Sequence, residues 1–131
     1  AQEMDVEKAG EFILNAKVPV LLYSDAVEKD MSVLRTKQGF ESDAKIMEEF
    51  MSELARFCLE KQFDRIVVAG GETSGAVLKR LGFEQFTVGQ SIAPGVPALI
   101  PHPSLDLCLI LKSGNFGQDD FFIRALEDVY V

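Results

Sequence analysis

The chain has 131 residues, enough for one ordinary domain and too few for two. Apolar residues make up 47%, with ten Phe spread along the length, so the chain can bury a core rather than stay disordered. Its 21 acidic against 13 basic side chains give a formal net charge of −8, a balance that argues against binding nucleic-acid backbones.

No apolar run is long enough to cross a bilayer and nothing at the start reads as a signal peptide, so a cytoplasmic protein with no membrane partner is expected. The two cysteines, Cys58 and Cys108, each sit inside an apolar segment. That placement reads as two buried thiols, not as a disulfide framework or a metal site.

Taken in order, residues 5–15 carry Val6, Ala9, Phe12 and Ile13 at helical spacing, which predicts a short amphipathic helix. The run Val18-Pro19-Val20-Leu21-Leu22-Tyr23 is apolar with a β-branched bias and predicts a strand. Residues 26–40 are ambiguous, with a short helix ending near Gly39 as one reading. A long helix is expected over 43–61, capped by Ser42, with Met47, Phe50, Met51, Leu54, Phe57 and Cys58 as its buried stripe. Glu48, Glu49, Glu53 and Arg56 fall on the opposite, solvated face.

Arg65-Ile66-Val67-Val68-Ala69 predicts a strand with almost no alternation, as in a sheet covered on both faces. A helix through Val77, Leu78 and Leu81 follows and stops at Gly82. Residues 86–92 read as a strand, 93–103 with their prolines as an irregular loop, and 105–112 as a further strand. A final helix over about 119–129 would bury Phe122, Ala125, Leu126 and Val129. Strands alternating with helices predict a single α/β domain, with a mainly parallel sheet and helices on both faces.

Two loops can carry chemistry. Gly70-Gly71-Glu72-Thr73-Ser74-Gly75 joins a strand to a helix. A helix start leaves backbone N–H groups unpaired and its dipole favours an anion. Glycines admit a bulky phosphate, and the Thr73 and Ser74 hydroxyls can cap the helix or donate to phosphate oxygens. The loop is neither a Walker A motif nor a GxGxxG fingerprint. Lys112-Ser113-Gly114-Asn115-Phe116-Gly117 again follows a strand and precedes a helix. In a parallel sheet both loops leave the carboxyl ends of their strands, the edge where open α/β sheets bind ligands. Glu72 suits a Mg²⁺ bridge, ribose hydroxyls or simple stabilisation by the helix dipole. Lys112 either offsets phosphate charge or reaches solvent. His102, the single histidine, reads as a loop surface residue, and no catalytic triad or zinc site can be assembled.

At these residues the chain resembles the four-carbon acid sugar kinases. Val67-Val68-Ala69-Gly70-Gly71-Glu72-Thr73-Ser74-Gly75-Ala76-Val77-Leu78 looks like that family's glycine-rich motif. Ile92-Ala93-Pro94-Gly95-Val96-Pro97 is similar to its proline-rich loop, and the segment from Lys112 through Asp119-Asp120-Phe121-Phe122 to Ala125-Leu126 resembles its C-terminal signature. The resemblance is clear from about Arg65 onward and looser over 18–63.

It implies the nucleotide-binding C-terminal domain of a kinase that uses ATP with Mg²⁺ on threonate, erythronate or a 3-oxo relative. Nucleotide contacts would fall on Gly70, Gly71, Glu72, Thr73, Ser74, Gly114, Asn115 and Gly117, with Glu72 standing where the family often has Asp. The sugar-acid site and the catalytic groups would belong to an N-terminal domain absent from this chain, so no catalytic residue and no metal ligand is assigned within it. The competing expectations are a free-standing nucleotide- or phosphate-binding regulatory module without catalysis, and a contact domain that forms a homo-oligomer.

Overall fold

The computed structural model describes residues 5–23, 37–103, 106–113 and 119–127. Within them run α1 (Val6–Asn15), α2 (Lys37–Glu60), β1 (Arg65–Ala69), α3 (Gly71–Leu81), β2 (Gln85–Ala93), β3 (Val96–His102), β4 (Cys108–Lys112) and α4 (Phe121–Glu127). The strands form one sheet in the order β1-β4-β3-β2. β1 pairs with β4 in parallel, from Arg65↔Cys108 to Ala69↔Lys112, whereas β2–β3 and β3–β4 are antiparallel.

The α/β class is as expected, but the sheet is mixed and not mainly parallel. The difference arises at residues 93–103. Pro94 and Gly95 make a two-residue turn, with Gly95 at φ +78°, and the chain folds back as β3 instead of crossing over. Pro ahead of a positive-φ Gly favours such a turn. Pro97 and Pro101 had argued against a strand, since a proline cannot donate to a ladder. The pairing of β3 with β4 is confined to Ala98↔Ile110 and Leu99↔Leu109, between the two prolines, and register shifts in β2–β3 absorb further irregularity. His102 accordingly ends a strand, exposed, with Nε2 2.6 Å from the Thr87 hydroxyl.

Successive residues of a strand face opposite sides of the sheet, and the two faces carry different helices. Val68 and Leu109 pack with Ala55 of α2 and Val77 and Leu81 of α3. Cys108, Ile110 and the half-buried Val67 pack with Phe121 and Ala125 of α4 and with Ile92, Val96 and Ala98. Helices therefore cover both faces, and the two thiols, Cys58 and Cys108, are buried and free.

Helix α1 starts where expected. The Asp5 carboxylate accepts the Glu7 and Lys8 N–H groups, and Gly10 faces the Phe57 ring of α2. Helix α2 begins at Lys37, so Gly39 and Ser42 lie inside it and Ser42 is no cap; these residues cost a helix interior about 1 kcal/mol or less each, which a long packed helix offsets. Residues 18–23 form no strand. They follow a bend without joining the sheet, and Val18, Leu21 and Tyr23 are 71%, 62% and 71% exposed. Strand propensity reports a fit to a half-buried sheet surface, and here the segment lies against none. In α4 the buried aromatic is Phe121, while Phe122, expected inside, is 37% exposed; Val129 lies outside the described residues. Helix α3 ends as expected at Gly82, in the left-handed region at φ +76°.

Candidate nucleotide site

The site grows from the β1–β4 pair. These strands are adjacent and parallel, so their carboxyl ends share one edge. From that edge β1 leads into α3 on one face of the sheet, and β4 leads toward α4 on the other. Neighbouring strands whose connections leave toward opposite faces open a crevice between them, the place where open α/β sheets take ligands. Ala69, the last residue of β1, is exposed there.

Gly70 makes the turn. Its φ of +115° and ψ of 132° lie in a region that side-chain-bearing residues avoid, and its N–H donates to the Lys112 carbonyl at 2.7 Å, tying the two loops together. The first intrahelical bond of α3 runs from the Ser74 N–H to the Gly70 carbonyl at 2.9 Å. The Gly71, Glu72 and Thr73 N–H groups thus precede the helix's own ladder, and Gly70 supplies no side-chain cap. Gly71 is exposed, and a Cβ built on it would meet only the Ser113 Cβ, at 3.8 Å. A Cβ on Gly75 would meet nothing within 4 Å. The Thr73 side chain lies over Gly70. Ser74 is buried, and among the described residues its Oγ is the buried side-chain polar atom left without a hydrogen-bond partner. An orphaned hydroxyl in the first turn of a helix that lacks a side-chain cap fits a site built to receive an acceptor.

The structure therefore brings Gly70, Gly71, Thr73 and Ser74 together at the crevice, with Ser113 beside Gly71. Glu72 also meets α2. Its carboxylate hydrogen-bonds Glu48 of α2, and this bond, followed by burial and by the negative charge of Glu72, holds the Glu48 carboxyl above its usual range, against the opposing charge of Lys45. Glu48, assigned to the solvated face from the helical spacing, is partly covered. Nothing local marks it, because the contact joins residues 24 apart through the packing of α2 on α3. Lys112 is half-buried with its Nζ 5.7 Å from the centre of the Phe121 ring. Gly114, Asn115 and Gly117 lie outside the described residues.

Comparison with known proteins gives the family. The family model described as a nucleotide-binding C-terminal domain matches residues 1–122. The chain is 40% identical over 124 residues to the 3-oxo-tetronate kinase of Pseudomonas savastanoi pv. phaseolicola, a match covering 95% of this chain and 29% of that enzyme. It is 42% identical over 116 residues to the 3-oxo-tetronate kinase of Methylobacterium radiotolerans, covering 86% and 27%. Among solved structures, the Haemophilus influenzae protein HI1011 superposes with a TM-score of 0.74 at 30% identity, over 95% of this chain and 31% of that one. A Bordetella bronchiseptica domain, solved with bound citrate as a domain-swapped dimer, matches with a TM-score of 0.52 at 28% identity, over 60% and 20%.

The chain is thus a nucleotide-binding domain of the C-terminal type. It belongs to the four-carbon acid sugar kinase family, and it spans less than a third of the curated kinases it matches.

Proposed function

We propose that the chain binds ATP, with Mg²⁺, as the nucleotide-holding part of a kinase that phosphorylates a four-carbon sugar acid of the 3-oxo-tetronate, threonate or erythronate kind. The observation that carries this reading is the start of α3 at the shared carboxyl edge of β1 and β4, which lacks a side-chain cap and holds a buried Ser74 hydroxyl left unpaired among the described residues. Gly70, Gly71, Thr73 and Ser74 would hold the phosphates from the α3 side, with Gly114, Asn115 and Gly117 from the β4 loop. Glu72 would stay at the flank.

ATP supplies the transferable phosphoryl group. This chain's residues contribute binding and orientation: N–H groups aimed at an anion, and glycines that let it approach. The sugar acid and the group that activates its hydroxyl would come from residues beyond this chain. A cytoplasmic setting, where ATP is available, fits this role.

Calorimetric titration of ATP and ADP, with and without Mg²⁺, tests the site. Saturable binding, tighter with Mg²⁺ for ATP, is expected; no binding at millimolar nucleotide overturns it. Self-association through the exposed Val18, Leu21 and Tyr23 is a further proposal, in keeping with the domain-swapped Bordetella relative. Light scattering over a concentration series would detect it.

A further inference from the structure

We propose that the Pro94-Gly95 turn is the surface against which the nucleotide lays its base, with the phosphates held at the start of α3. This rests on the nucleotide reading above and adds a direction to it: from the end of β1, across the end of β4, to the β2–β3 turn.

The register places the turn. Ala98 pairs with Ile110 and Leu99 with Leu109, so the antiparallel ladder, continued two residues, brings Val96 beside Lys112. Lys112 in turn pairs with Ala69, the residue before Gly70. The carboxyl ends of β1 and β4 and the β2–β3 turn therefore stand in one row along one edge of the sheet. Packing agrees, because Ile92 and Val96, which flank the turn, share a cluster with Ile110 and with Phe121 at the start of α4. The turn lies two strand spacings, about 10 Å, from the end of β1. Phosphates and base, joined through the ribose, would occupy the two ends of that row.

The turn is built to keep its shape. Ile92 and Val96 are fully buried and Ala93 partly so, whereas Pro94 and Gly95 are exposed. Proline fixes its own φ and Gly95 takes φ +78°, so an exposed apolar ring stands on a fixed support. A preformed apolar surface costs little further ordering when a ligand covers it.

Charge separates the two ends. From Gln85 to Pro103 there is no Asp, Glu, Lys or Arg, although the chain has 21 acidic and 13 basic side chains. The start of α3 offers N–H groups and the positive end of a helix dipole, which suit an anion. The turn offers an anion nothing, and it gives a neutral, flat ring an apolar contact face. The base is that part of a nucleotide.

The test measures adenosine, pyrophosphate and ADP binding by calorimetry to the intact protein and to its Pro94→Ala and Pro94→Ser variants, with thermal melting to confirm folding. Both variants remove most of the ring, so adenosine and ADP should each weaken about 3- to 10-fold, with pyrophosphate unchanged. In the wild type, the Gly95 and Val96 N–H resonances should shift with adenosine and not with pyrophosphate, a measurement that needs no variant. Unchanged adenosine and ADP affinity in both folded variants would overturn the proposal. So would an equal loss for pyrophosphate, or resonances that adenosine leaves in place. Pyrophosphate binding without adenosine binding would overturn it too, while leaving the phosphate site at α3 standing. Failure of all three ligands to bind the wild type would remove the nucleotide reading itself, and the role of the turn with it.

Discussion

Replacing Gly71 by Asp should separate folding from binding. A Cβ at this position would meet only the Ser113 Cβ, at 3.8 Å, which is ordinary contact, and Gly71 does not occupy the left-handed region. Two effects favour the variant: less chain entropy in the unfolded state, worth about 0.4–1 kcal/mol, and an acidic side chain in the first turn of α3, worth about 0.3–1 kcal/mol. Gly71→Asp should therefore melt at or above the wild-type temperature.

Binding should move the other way. A carboxylate about 4 Å from a phosphate oxygen near a protein surface costs about 4 kcal/mol per charge pair, which corresponds to roughly a thousandfold loss of affinity. Gly70→Ala is the contrasting control. At φ +115° a side chain strains the backbone, so this variant should lose about 1–3 kcal/mol of stability. Denaturant melts paired with ADP calorimetry read both quantities. Wild-type ADP affinity in Gly71→Asp would refute the assignment of this loop, and a large loss of stability in that variant would refute the account of its open Cβ.

Three further outcomes are expected. Gly10→Ala would bring a methyl to 2.5 Å from two ring carbons of Phe57, so despite alanine's higher helix propensity it should destabilise the protein by about 1–2 kcal/mol, measured by urea unfolding. Leu109→Ala, in the central strand β4 and fully buried, should cost about 2–5 kcal/mol; a cost below about 1 kcal/mol would mean that this core is not close-packed.

Glu48→Gln tests the carboxyl pair through pH. The raised folded pKa of Glu48 means that its contribution is fully present below its ordinary value of 4.5 and is lost as pH rises through the raised value. Gln cannot ionise and still offers a donor to Glu72, so the wild type should lose melting temperature relative to the variant as pH rises above about 4.5; parallel curves would contradict the pairing.

The amino-acid order by itself determined the elements whose signals are local. The unbroken apolar run of β1, the Gly82 stop of α3 and the apolar spacing of α1 each depend on neighbours a few residues away, and each appears where expected. The glycine-rich start of α3 was legible for the same reason: Gly70 and Gly71 bear the turn, and Ser74 lies one helical turn from Gly70. Tertiary structure alone decided what depends on distant partners. Residues 18–23 carry strand propensity without a strand, because a ladder needs a neighbour as well as a preference. Residues 93–103 form β3 despite their prolines, because bonding to β4 is needed only at Ala98 and Leu99. The meeting of Glu48 with Glu72 arises from α2 packing on α3 over one face of the sheet, and the setting of Lys112 over Phe121 from α4 packing on the other. No spacing along the chain records such contacts, since they exist only once the faces are filled.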